Sequence, residues 1–194
     1  MTLIPESFDP PAPVETAAPP STLEFLAQNC PLFLNMTKQE VRDLWNRLVA
    51  ETYPKDEVIL REGRSTQLLW IIVRGRCEVF KTIKPGIEQR LTTLEPGATF
   101  GEMSFFQPAP HSASIPALSE VGVLRLSREQ FESLEKSGSP AVCKLLVNTV
   151  KVLSERLRQM VNWTCVLVDR PDGSERHRQE WREFRSRLYT DWQF

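Results

Sequence analysis

Leu68-Leu69-Trp70-Ile71-Ile72-Val73-Arg74-Gly75-Arg76-Cys77-Glu78-Val79-Phe80 reads as two short apolar runs broken by an arginine-glycine turn. The same texture continues in both directions. Val58-Ile59-Leu60 lies before it and Leu91-Thr92-Thr93-Leu94 after it, with turn signals at Glu62-Gly63, Pro85-Gly86 and Pro96-Gly97. Ser114-Ile115, ending at Pro116 as an edge strand does, and Val121–Leu126 complete the series. No helix-length segment separates these strands, so parallel β-α-β crossovers do not fit. The spacing predicts a small barrel or jelly roll.

Helices are predicted on both sides. Ser21-Thr22-Leu23-Glu24 and Thr37-Lys38-Gln39-Glu40 are capping boxes, the second ahead of Val41, Leu44, Trp45 and Leu48 at helical spacing. A third box, Ser127-Arg128-Glu129-Gln130, precedes Phe131 and Leu134, and Gly138 and Pro140 then punctuate. From Ala141 to about Asn162 runs a long helix with a heptad. Cys143, Val150 and Leu157 share one core position, and Leu146, Leu153 and Met160 share the other. That pattern favours a parallel two-stranded coil and hence a homodimer. A second stripe, Val142, Leu145, Thr149 and Val152, could pack on the chain's own barrel. The plainer alternative is one helix lying on its domain; two apolar faces favour the dimer.

The chain has 194 residues, 41% hydrophobic and 25% charged, with a net charge of −1. This is globular composition, and bulk charge points to no nucleic-acid or membrane partner. No apolar run approaches the about 20 residues that span a bilayer, and the proline-rich, acidic start is no signal peptide. Cys30, Cys77, Cys143 and Cys165 are scattered and expected as buried free thiols. A cytoplasmic protein is expected. Residues 1–20, with Pro5, Pro10, Pro11, Pro13, Pro19 and Pro20, are expected as a flexible arm. The barrel with flanking helices is expected at 21–137, the heptad helix at 138–162 and a tail at 163–194.

In that tail Trp163–Val168 reads as extended, Pro171-Asp172-Gly173 as a turn and Glu175–Trp192 as a helix with Trp181, Phe184, Leu188 and Trp192 on one stripe. Five arginines decorate it, countered by Glu175, Glu180, Glu183 and Asp191. A DNA-reading helix would carry fewer acids and need a supporting helix, so DNA binding by this chain alone is not expected. The stripe could pack on the protein itself, cover a pocket as a lid, or dock in the groove of a protein partner.

The order of elements resembles the cyclic-nucleotide-binding domain family of catabolite-activator-type regulators, kinase regulatory subunits and gated channels. The likeness runs from about Pro31 to Met160, about two-thirds of the chain. It is carried by Pro31-Leu32-Phe33, Val58–Gly63, Trp70–Gly75, Leu94-Glu95-Pro96-Gly97-Ala98-Thr99-Phe100-Gly101-Glu102 and Leu126–Phe131. The resemblance implies a mainly β fold with flanking α, a jelly-roll barrel with N-terminal helices and a long C-terminal dimerisation helix. It also implies a regulatory, non-catalytic role with cyclic AMP or cyclic GMP as the ligand.

In the family a short helix beginning at Phe-Gly-Glu presents backbone N–H groups to the cyclic phosphate, and the glutamate accepts the ribose hydroxyl. Here Phe100, Gly101, Glu102 and Met103 match. An arginine follows the glutamate by nine residues in the family and grips the phosphate; here His111 stands there, ahead of Ser112 and Ala113. A charge-assisted bond of ~1.5–3 kcal/mol is then missing, a loss of roughly 10- to 100-fold in affinity. If His111 supplies the charge instead, affinity should rise below a pH of about 6.5. Two readings stay open: weak or altered nucleotide sensing, or a degenerate pocket on a dimeric protein-interaction module. Plainer roles exist for each residue. Glu102 could serve only its helix, His111 could be an exposed loop residue, and Phe105, Phe106 and Trp70 are expected as core.

Metal-dependent enzymes also use small β-barrels, but their sites need two or three histidines with a carboxylate. This chain has only His111 and His177, and no nucleophile elbow, Walker loop or Rossmann fingerprint.

Overall fold

The computed structural model describes residues 20–168 and residue 179. Residues 1–19 of the expected arm 1–20 and the tail stripe Trp181, Phe184, Leu188 and Trp192 lie outside them. Helix α1 (Pro20–Asn29) opens on a proline, one residue ahead of the expected Ser21. A 3-10 turn at Pro31–Phe33 buries Leu32 and Phe33. In α2 (Lys38–Trp45) the expected capping box forms, with the Thr37 N–H donating to the Glu40 carboxylate at 2.6 Å and the Glu40 N–H donating to Thr37 Oγ1 at 3.3 Å. The helix stops at Trp45, short of Leu48.

Next comes a strand absent from the sequence reading, β1 (Val49–Tyr53). Its Glu51 is buried, which breaks the apolar texture that marks the other strands. The structure resolves the conflict chemically. Tyr53 Oη donates to Glu51 Oε2 at 2.6 Å, and Arg125 Nε donates to Glu51 Oε1, so the buried carboxylate is bonded on both oxygens.

The barrel continues through β2 (Val58–Leu60), β3 (Leu68–Arg74), β4 (Cys77–Lys84), β5 (Ile87–Leu94), β6 (Thr99–Phe100), α3 (Glu102–Phe106), β7 (Ile115–Pro116) and β8 (Val121–Ser127). Four strands form one antiparallel sheet in the order β1-β8-β3-β6; β2 pairs β7, and β4 pairs β5. Bridges Cys77↔Ala117 and Phe80↔Ser114 join the β4–β5 hairpin to the β7 segment. The strands enclose one core that includes Tyr53, Leu60, Trp70, Ile72, Cys77, Phe100, Ile115 and Val123. Side chains alternate along a strand, so Leu69, Ile71, Leu124 and Leu126 face the other way, and they are buried too. Burial on both faces is why Leu68–Val73 is apolar throughout. The architecture is the expected mainly β jelly-roll barrel with flanking helices.

Helix α4 (Arg128–Lys136) carries its expected box, the Ser127 N–H donating to Gln130 Oε1 at 2.6 Å and the Gln130 N–H to Ser127 Oγ at 3.2 Å. Helix α5 runs from Ala141 to Val168, so the segment expected to be extended from Trp163 is helical. Thr164, Val166 and Val168 gave it a β-like composition, but no glycine or proline interrupts the helix after Pro140.

The chain divides into two compact units, Met1–Thr149 and Val150–Phe194. In the first, Ala141, Leu145, Asn148 and Thr149 of α5 are buried while Leu146 and Val147 are exposed. In the second, Val150, Leu157 and Met160 are exposed and Leu153 is half-buried. Cys30 and Cys77 are buried free thiols, both pushed up to about 12 by desolvation. Cys143 is free but exposed, contrary to expectation, because it lies on the outward face of α5.

Candidate functional site

The segment Leu94–Glu102 crosses the barrel through two close approaches. At Gly97, φ is 90°, and a Cβ would stand 2.7 Å from the Asn29 carbonyl oxygen at the end of α1. At Gly101, φ is 83°, and a Cβ would meet the Leu68 carbonyl oxygen at 2.5 Å and the Trp70 ring at 2.7 Å. Glycine is therefore required at both on conformation and on space. Trp70 also lies stacked on Phe100, its cross-strand partner, with ring centroids 5.3 Å apart. Trp70 and Phe105 are core, as expected.

Immediately after Gly101, α3 presents Glu102, which is 5% exposed, and Met103, which is 60% exposed. Phe105 and Phe106 pack edge-on to each other at 4.9 Å, and both meet Phe131 of α4, at 5.7 and 5.9 Å.

His111 is neither an exposed loop residue nor a free base; it is 5% exposed. Its Nδ1 lies 2.9 Å from Ser104 Oγ, and its Nε2 lies 2.7 Å from Thr66 Oγ1. Neutral imidazole has one donor and one acceptor nitrogen, and each hydroxyl can take the complementary role. Burial pushes the His111 pKa below the usual imidazole value. Desolvation opposes the charge, so the ring takes up a proton less readily than an exposed imidazole does. Ser112 is exposed and Ala113 half-buried. The neighbouring Ser114 Oγ accepts the Glu62 N–H at 3.0 Å. Glu62 in turn accepts from Lys81 Nζ at 2.5 Å and from the Thr82 N–H at 2.9 Å, which holds its carboxyl below the usual range.

Of the residues singled out from sequence, the structure links His111 to α3 through Ser104, with Phe100 and Glu102 buried on either side of Gly101. Met103 and Ser112 face solvent. Sequence reasoning missed Ser104 and Thr66. Ser104 carried a faint signal, a small hydroxyl inside the otherwise apolar Met103–Phe106 run; Thr66 carried none, being 45 residues from its partner. Among the described residues, no group of His, Cys, Asp and Glu could hold a metal ion, and no helix is long and apolar enough to cross a membrane.

Comparison with known proteins places this geometry. The sequence profile of the cyclic nucleotide-binding domain matches residues 50–137. The cyclic AMP receptor protein of Thermus thermophilus is 32% identical over 129 residues, covering 66% of this chain and 58% of that protein. A cAMP-dependent protein kinase regulatory subunit of Pyricularia oryzae is 25% identical over 134 residues, 69% of this chain and 34% of that one. The crystal structure of a cyclic nucleotide-binding domain from Methylobacillus flagellatus superposes with a TM-score of 0.65 at 27% identity, covering 72% of this chain and 78% of that chain. The chain spans less than three-fifths of the length of these curated relatives. The matched segment holds β1 through α4, the Gly97 and Gly101 turns, and α3 followed by the His111 loop. Residues 50–137 belong to the cyclic nucleotide-binding domain family.

Proposed function

We propose that this chain is a non-catalytic regulatory module of the cyclic-nucleotide-binding type whose phosphate site works without a cation. In this reading Glu102 accepts a ribose hydroxyl, Phe100, Gly101, Met103 and Ala113 line the sugar-phosphate, and Ser112 donates its hydroxyl to the phosphate. The observation that carries it is His111, which stands where the family places arginine and is buried with both ring nitrogens engaged. A neutral ring turned inward supplies no charge to an anion, so cyclic AMP or cyclic GMP binds weakly. Calorimetry on the full chain and on His111→Arg tests this. The variant should bind cyclic AMP or cyclic GMP roughly 10- to 100-fold more tightly than wild type. A wild-type affinity equal to that of the variant would overturn the reading.

A second reading follows from the same bonds. If the intramolecular partners of His111 have replaced the ligand altogether, the pocket is degenerate and the fold serves as a dimeric protein-interaction module. Absence of binding by both proteins selects this reading. In either case we place the homodimer contact on α5, through Cys143, Leu146, Val150, Leu153, Leu157 and Met160. All but the half-buried Leu153 are exposed apolar or thiol side chains of a long helix. The tail residues Trp181, Phe184, Leu188 and Trp192 are proposed to meet a protein partner rather than DNA.

A further inference from the structure

Four bonds converge on His111. Its backbone N–H donates to the Arg64 carbonyl at 2.7 Å, and its carbonyl accepts the Gly63 N–H at 2.9 Å. The ring adds Thr66 Oγ1 and Ser104 Oγ. The β2–β3 turn, 45 residues away in sequence, and α3 with the loop that follows it therefore meet at His111. Just beyond, Ser114 exchanges backbone bonds with Phe80 in both directions, at 2.8 and 2.9 Å. The loop is thus fastened at its far end by backbone bonds of the chain itself.

The two hydroxyls also fix the kind of side chain that fits. A neutral imidazole needs one donor and one acceptor, and two hydroxyls provide both. A guanidinium has five donors and no acceptor, and at the buried position of the His111 ring two hydroxyls leave most of those donors unmatched. Ser104 and Thr66 suit an inward neutral histidine and disfavour an inward cation.

We propose that Thr66 and Ser104 are positioning residues that set the ligand response of the site: through His111 they hold the 107–113 loop against the barrel in the ligand-free protein. This rests on reading the site as a nucleotide site. A nucleotide then meets a loop already closed by the chain's own bonds and must break them to recruit it. The residue at position 111 acts as an internal competitor rather than as a missing contact alone.

Hydrogen–deuterium exchange on the ligand-free full chain tests the proposal, with Thr66→Val, Thr66→Ser and Ser104→Ala beside wild type. Loss of one hydroxyl partner should speed exchange of the 107–113 amides roughly tenfold. The Thr66→Ser variant, which keeps the hydroxyl, should match wild type, and the β3 and β8 amides should not move. Thr66 is exposed, so its valine variant remains informative if Ser104→Ala fails to fold. Unchanged 107–113 exchange in Thr66→Val overturns the proposal, as does equal acceleration across β3 and β8, which would mean general destabilisation. In parallel calorimetry, Thr66→Val should bind cyclic AMP several-fold more tightly than wild type, because one intramolecular bond no longer competes; weaker binding counts against it. If neither wild type nor His111→Arg binds any cyclic nucleotide, the reading of the site falls while the exchange result still decides the pin.

Discussion

At the scale of single residues, His111 links stability to pH. Burial disfavours its charged form, so the folded barrel binds the ring proton less readily than the unfolded chain does. Above the unfolded imidazole pKa of about 6.5 neither state is protonated, and the bonded neutral ring contributes in full. As pH falls through that value toward the lower folded one, the unfolded state takes up a proton that the folded state resists, and stability is lost. The urea midpoint should therefore drop between pH 7.5 and pH 5.5 by more in wild type than in His111→Gln. Equal drops would show that His111 titrates freely. The substitution of histidine for arginine at this position was readable from the sequence. Its burial was not, because nothing near Pro110 announces that Ser104 and Thr66 will enclose the ring.

Among elements, the first half of α5 is clasped to the N-terminal helices by polar bonds. Asn148 Nδ2 donates to the carbonyls of Leu32 and Leu34 at 3.0 and 2.8 Å. Lys144 Nζ donates to the Asn35 carbonyl at 2.6 Å and to Glu40 Oε2 at 2.7 Å. The Lys144 bond and then the Thr37 N–H hold the Glu40 carboxyl down to about 2, so its share of the clasp is lost as pH falls from about 4.5 through about 2. Asn148 is buried, and Asn148→Ala strands two carbonyls, so the variant should lose ~1–3 kcal/mol in urea denaturation. A loss below about 0.5 kcal/mol, typical of a surface change, would show that water takes over both carbonyls. The capping boxes at Thr37 and Ser127 were legible because a cap is settled by residues three apart. The strand β1 was not, since its buried Glu51 is acceptable only with Arg125, 74 residues away, beside it.

For the molecule as a whole, the proposed parallel pairing of α5 makes a covalent prediction. Two copies in register bring Cys143 opposite its counterpart at a core position, within the 4.4–6.8 Å Cα separation that a disulfide bridges. Cys30 and Cys77 are buried with raised pKa values and should stay unreactive. Mild oxidation of a Cys165→Ser background should give a disulfide-linked dimer on non-reducing gels, and Cys143→Ser should abolish it. The charged variant Val150→Glu should elute from size exclusion as a monomer; a dimer that persists with this charge in the seam would place the interface elsewhere.

Turns, caps and strand texture follow from groups a few residues apart, so the strands other than β1 and β6, the two flanking helix boxes, the Gly97 and Gly101 bends and the family likeness could all be read along the chain. The burial and direction of His111 and the tolerance of Glu51 could not. Those depend on which atoms, tens of residues apart, come together out of water. Desolvation and hydrogen-bond satisfaction exist only once the barrel has closed.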